Sequence, residues 1–106
     1  MRKALYGTLL ALMMAAQGTL AAEVSLERGK ELFESTKLGT TGKSCASCHP
    51  GGRKLEWAGT SYDEEKLTVI VNRCLEKSLK GKPLDPASDE MKSLVAYIRT
   101  FSGPGR

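Results

Sequence analysis

"SCASCHPGG", residues 44–52, places two of the chain's three cysteines and its only histidine within five consecutive positions. A cysteine pair with two residues between serves one of three chemistries: a redox dithiol, half of a zinc site, or a covalent cofactor anchor. Each demands different surroundings, so the choice among them decides the fold.

A redox dithiol sits at a helix start that follows a strand in a βαβ unit. Nothing before Cys45 reads as such a strand. Zinc would use Cys45, Cys48, His49 and Cys74 as a Cys₃His set. Structural zinc sites draw their ligands from spaced pairs, whereas Cys48 and His49 are adjacent. The third chemistry is covalent haem, for which C-x-x-C-H is the attachment motif. Cys45 and Cys48 would add to the two vinyl groups, and the neighbouring His49 would be carried under the ring as proximal iron ligand. The spacing therefore predicts one haem c, held by Cys45 and Cys48 and ligated by His49.

The chain's beginning agrees with that choice. Residues 1–22, "MRKALYGTLLALMMAAQGTLAA", run from two basic residues through an apolar stretch to small residues. That is the layout of a secretory signal peptide, cleaved after Ala21 or Ala22. The apolar run is short and interrupted for a membrane span, so anchoring is not expected once it is removed. The expectation is an exported, periplasmic protein, where haem is attached to thiols and where a third cysteine, Cys74, needs an explanation. Residues 23–106 then form one domain of about 84 residues, a size at which a cofactor commonly supplements a sparse core. Loss of Arg2 and Lys3 lowers the formal charge from +4 to about +2. No basic run interleaved with aromatics marks a nucleic-acid partner. A sole histidine committed to iron leaves no Ser-His-Asp or Cys-His pair, and no phosphate or dinucleotide loop is present.

The remaining pattern is all-α, with three main helices and loops. Ser25 caps a first helix expected over residues 26–37, with Leu26, Gly29, Leu32 and Phe33 on one stripe. Residues 50–62 carry glycines and no periodicity, so they read as a loop. A second helix, residues 63–79, opens on three acids and closes on lysines before Gly81, as the helix dipole prefers. A third begins at Ser88 and carries Met91, Leu94, Val95, Ile98 and Phe101 at three- and four-residue intervals.

With these elements in place the chain resembles the class I c-type cytochromes over nearly all of residues 23–106. "GKELF" sets Gly29 and Phe33 as in that family's N-terminal helix, and "MKSLVAYIRTF" sets Leu94, Tyr97 and Ile98 as in its C-terminal helix. The resemblance implies a small cytochrome c fold in which the two terminal helices cross at a glycine. A narrower similarity, through "IVNRCLEKSLKGKPLDPASDEMKSLVAYI", is to haem domains of thiosulfate dehydrogenases and of sulfur-oxidising cytochromes. In those a cysteine binds iron opposite the histidine, and the matching position here is Cys74.

Two residues thus compete for the position opposite His49. Cys74 shares a helical face with Leu67, Ile70 and Val71, and a thiolate there would favour ferric iron. Flanking Arg73 and Lys77 would raise its thiolate fraction. Met91 would be the neutral alternative, although its place on an apolar helical stripe suits core packing. Arg53, Lys54, Trp57 and Tyr62 are candidates for the haem propionates, and the Pro50–Gly52 turn for a carbonyl beside His49. Together these features point to a monohaem electron carrier between redox proteins, which the narrower resemblance places in sulfur-compound oxidation. The alternative is a haem enzyme, or enzyme subunit, oxidising thiosulfate or a related sulfur anion at a His/Cys-ligated iron.

Overall fold

The computed structural model describes residues 23–102, so the signal-peptide expectation for residues 1–22 lies outside the described residues. Among the described residues five α-helices run in the order α1 (Leu26–Glu34), α2 (Cys45–Cys48), α3 (Ala58–Ser61), α4 (Glu64–Lys77) and α5 (Asp89–Arg99). Short 3₁₀ turns occupy Pro50–Gly52 and Thr100–Ser102, and no strand occurs among the described residues. No helix among them is long and apolar enough to cross a membrane. The all-α expectation with three main helices holds.

Each main helix starts on a side-chain cap that satisfies an otherwise orphaned backbone donor. Ser25 Oγ accepts from Arg28 N at 3.0 Å, Asp63 Oδ1 from Lys66 N at 2.8 Å, and Ser88 Oγ from Met91 N at 3.1 Å. Helix α1 stops three residues earlier than its periodicity suggests. Ser35 is already extended, and its hydroxyl accepts from Lys37 N at 3.1 Å, a local alternative to the helical bond. Leu26 also leaves the stripe and stands 52% exposed.

Helices α1 and α5 cross at Gly29. A Cβ built there would overlap the Ser93 carbonyl and the Tyr97 Cβ, so only glycine permits this approach. Beside the crossing, Phe33 stacks edge-on against Tyr97 at 5.4 Å between centroids, and both meet the Phe101 ring. Met91, Leu94 and Val95 from α5 complete a sealed core with Leu32, and the buried Phe33 and Ile98 stand at its edge. One polar side chain is fully buried in it. Ser93 Oγ accepts from Ser25 N at 3.0 Å and donates to the Glu23 carbonyl at 3.4 Å, so the chain's entry into α1 is pinned to the middle of α5.

Residues 50–62 are more ordered than their composition suggests. The peptide of Gly59, in α3, donates to Ser102 Oγ at 3.0 Å and accepts from Arg99 Nη1 at 3.0 Å. Tertiary contacts with the end of α5 therefore hold a helix that has no side-chain cap of its own.

Candidate functional site

Helix α2 is one turn long, too short to persist on its own. A reciprocal capping box holds it: Ser47 N donates to Ser44 Oγ at 3.1 Å and Ser44 N donates to Ser47 Oγ at 2.8 Å. The turn puts Cys45 and Cys48 on one side, and His49 N closes it onto the Cys45 carbonyl at 2.9 Å. The chain then doubles back through Gly51 and Gly52, both in the left-handed region at φ 63° and 80°. Gly52 is required for a second reason: a Cβ there would run into the Phe101 ring.

That reversal brings the Arg53 carbonyl to 2.9 Å from His49 Nδ1. A carbonyl only accepts, so Nδ1 carries the proton and Nε2 keeps a free lone pair for a metal. The expected carbonyl partner thus exists. It comes from the residue after the Pro50–Gly52 turn, because the two left-handed glycines carry the chain past the ring before it turns back.

His49 lines a cleft with a cavity of about 170 Å³. Cys45, Cys48, His49 and Cys74 all line it, and its walls are apolar, built from Phe33, Leu55, Leu67, Ile70, Val71 and Ile98. No three Cys, His, Asp or Glu side chains converge into a metal cluster among the described residues. The four donors are therefore distributed around the cleft, which does not suit a tetrahedral zinc site and does suit an object that spans it. A covalently attached iron porphyrin fits this donor set: two thiols, one imidazole with its outer nitrogen fixed, and hydrocarbon walls.

The two competitors for the position opposite His49 are separated by the fold. Cys74 faces the cleft from the middle of α4. Met91 is fully buried in the α1/α5 core and does not line the cleft. Burial pushes the Cys45 thiol up to about 11, and the nearby Cys74 adds to the effect. Burial likewise raises the Cys74 thiol; Arg73 opposes this and Cys48 adds to it. Arg73 thus acts as the sequence suggests, but desolvation outweighs it, so the Cys74 thiol by itself stays protonated at neutral pH. Of the four propionate candidates, Trp57 and Tyr62 line the cleft, edge-on at 5.5 Å, whereas Arg53 and Lys54 are exposed and stand outside it. Trp57 is 51% exposed and therefore marks the cleft's open side.

Two contributors carry no signal that sequence reasoning picked up. Ser78 lines the cleft one turn beyond Cys74. Asn72, two residues before Cys74, makes a pair of hydrogen bonds to the backbone of Leu84. Its position within "NRC" was the available clue.

Comparison with known proteins agrees with this geometry. The family model of the SoxA/TsdA cytochrome c domain matches residues 28–104. A thiosulfate dehydrogenase from Psychrobacter arcticus is 33% identical over 73 residues, an alignment covering 56% of this chain and 22% of that protein. The chain thus matches about a fifth of that relative's length. No solved structure matches. The chain belongs to the SoxA/TsdA cytochrome c domain family, a c-type cytochrome family, and that membership implies that it binds haem c.

Proposed function

We propose that this SoxA/TsdA-type cytochrome c domain is an exported, periplasmic electron carrier with one haem, passing single electrons between redox proteins in the oxidation of sulfur compounds. The observation that carries the reading is the shared cleft: Cys45, Cys48, His49 and Cys74 line one apolar space, while Met91 is enclosed elsewhere. In this reading Cys45 and Cys48 would form the thioether links, and His49, through Nε2, and Cys74 would hold the iron. When bound, the haem supplies a one-electron couple whose potential the axial ligands set.

The chain's own residues fix that couple. The Arg53 carbonyl holds the His49 ring in one tautomer and orientation. A thiolate from Cys74 would add negative charge at the iron and lower the potential. Hydrocarbon walls surround the cleft's interior, and Trp57 and Tyr62 border the side that faces solvent. Partners would approach there, since electron exchange needs a short path to the ring edge.

A second reading has one observation in its favour. The relative from Psychrobacter arcticus is a thiosulfate dehydrogenase, and here Cys74 and His49 line one cleft that a small sulfur anion could enter. The two readings separate in one experiment. Reduced and oxidised mature protein is mixed with a small redox protein and, separately, with thiosulfate under an excess of one-electron acceptor. The carrier reading predicts fast stoichiometric electron exchange and no sustained thiosulfate-dependent turnover. Sustained turnover would overturn it in favour of the enzyme.

A further inference from the structure

The segment after α4 is tied at both ends, and each tie leads back to one half of the cleft. At its start, Thr40 N donates to the Leu79 carbonyl at 2.9 Å and Thr40 Oγ1 to the Lys80 carbonyl at 2.9 Å. Gly39 and Gly81 let these two backbones lie in contact, since a Cβ on either would strike a carbonyl of the other segment. Thr40 stands five residues before Cys45, on the approach to the attachment turn. At the segment's far end, Asn72 Nδ2 donates to the Leu84 carbonyl at 2.9 Å, and Leu84 N donates to Asn72 Oδ1 at 2.8 Å. Leu84 itself packs against the core.

Residues two apart on a helix point about 200° from one another. Asn72 therefore grips the segment on one side of α4 while Cys74 faces the cleft on the other. We propose that Asn72 is a positioning residue: residues 79–84 form a strap whose hold on α4 through Asn72, and on the attachment loop through Thr40, sets how closely Cys74 stands to the iron opposite His49. The proposal rests on the reading of Cys74 as distal ligand. Both hydrogen-bonding groups of the amide are used, so substitution releases α4 from the Leu84 end of the strap, while Leu79 N still donates to the Cys74 carbonyl and Gly81 N to the Leu75 carbonyl; Asn72 itself does not line the cleft. The distal sulfur is then held less firmly, and an external ligand displaces it more readily. Outer partners of metal ligands commonly change such properties by on the order of tenfold or more.

The test uses the haem-loaded protein and the variants Asn72→Leu, Asn72→Asp and Cys74→Ala. Binding of cyanide to the ferric protein is timed, and its electron paramagnetic resonance spectrum and thermal midpoint are recorded. In Asn72→Leu, cyanide binding accelerates on the order of tenfold and the low-spin signal broadens. Asn72→Asp keeps only the acceptor for Leu84 N and falls between. If Asn72→Leu lowers the midpoint but leaves the cyanide rate and the spectrum as in the wild type, Asn72 merely supports the fold and the proposal is overturned. If Cys74→Ala leaves the spectrum unchanged, the distal-ligand reading has failed, and the proposal falls with it for that separate reason.

Discussion

The α1/α5 crossing and the cleft below it solve the same packing problem in opposite ways. At the crossing, Gly29 brings two backbones into contact, Phe33, Tyr97 and Phe101 interlock, and Ser93 satisfies its one buried hydroxyl. Nothing further is needed there. Around the cleft, side chains from α2, α3 and α4, joined by Phe33 and Ile98, present apolar walls to a cavity of about 170 Å³. The first region is finished by its own side chains; the second is shaped for something the chain binds. A chain this small can divide its core in that way because a covalent cofactor contributes the missing interior.

The sharpest way to break this contrast is to remove both anchoring thiols. Cys45→Ser with Cys48→Ser should abolish cooperative folding, seen as loss of a thermal transition in helical circular dichroism. Leaving the cleft's cavity of about 170 Å³ as a void, at about 24 cal/mol per Å³, costs about 4 kcal/mol. That approaches the lower end of the stability of ordinary domains. A cooperative transition retained in the double variant would mean that the cleft half needs no filling.

At the crossing the prediction runs the other way. Gly29→Ala should destabilise by about 3 kcal/mol in chemical denaturation, because the new methyl meets backbone that cannot give way. The absorption and spin resonance spectra of the loaded protein should stay unchanged, since the damage lies outside the cleft. Ser93→Ala should cost about 1 kcal/mol by removing the acceptor of Ser25 N and the hydroxyl that pins the entry of α1 to α5. Met91→Leu is expected to have the smallest effect, under about 1.5 kcal/mol, with no change in reduction potential. A large change in potential would move Met91 from the core to the iron.

What the sequence disclosed follows the same division. Caps and apolar periodicity are local, so Ser25, Asp63 and Ser88 marked the main helices, and the C-x-x-C-H spacing marked the site. Contacts between distant residues left little local trace. The bond from Ser25 to Ser93 spans 68 positions, and neither serine announces its partner. The short helix α3 hid inside a glycine-rich stretch because its order comes from Arg99 and Ser102. Ser35 ended α1 early by a side-chain bond that competes with the helix. Cys74 and Met91 could both be placed on apolar helical faces from spacing alone. Which face looks into the cleft and which into the sealed core depends on how α4 and α5 pack, and that is a property of the assembled fold.

The claim that the two regions divide these residues between them is most directly tested at the iron. The electron paramagnetic resonance spectrum of the ferric, haem-loaded protein should show a low-spin thiolate signal. Cys74→Ala should abolish that signal, and Met91→Leu should leave it intact. A spectrum indifferent to Cys74→Ala but altered by Met91→Leu would contradict the account and place the distal ligand in the region described here as sealed.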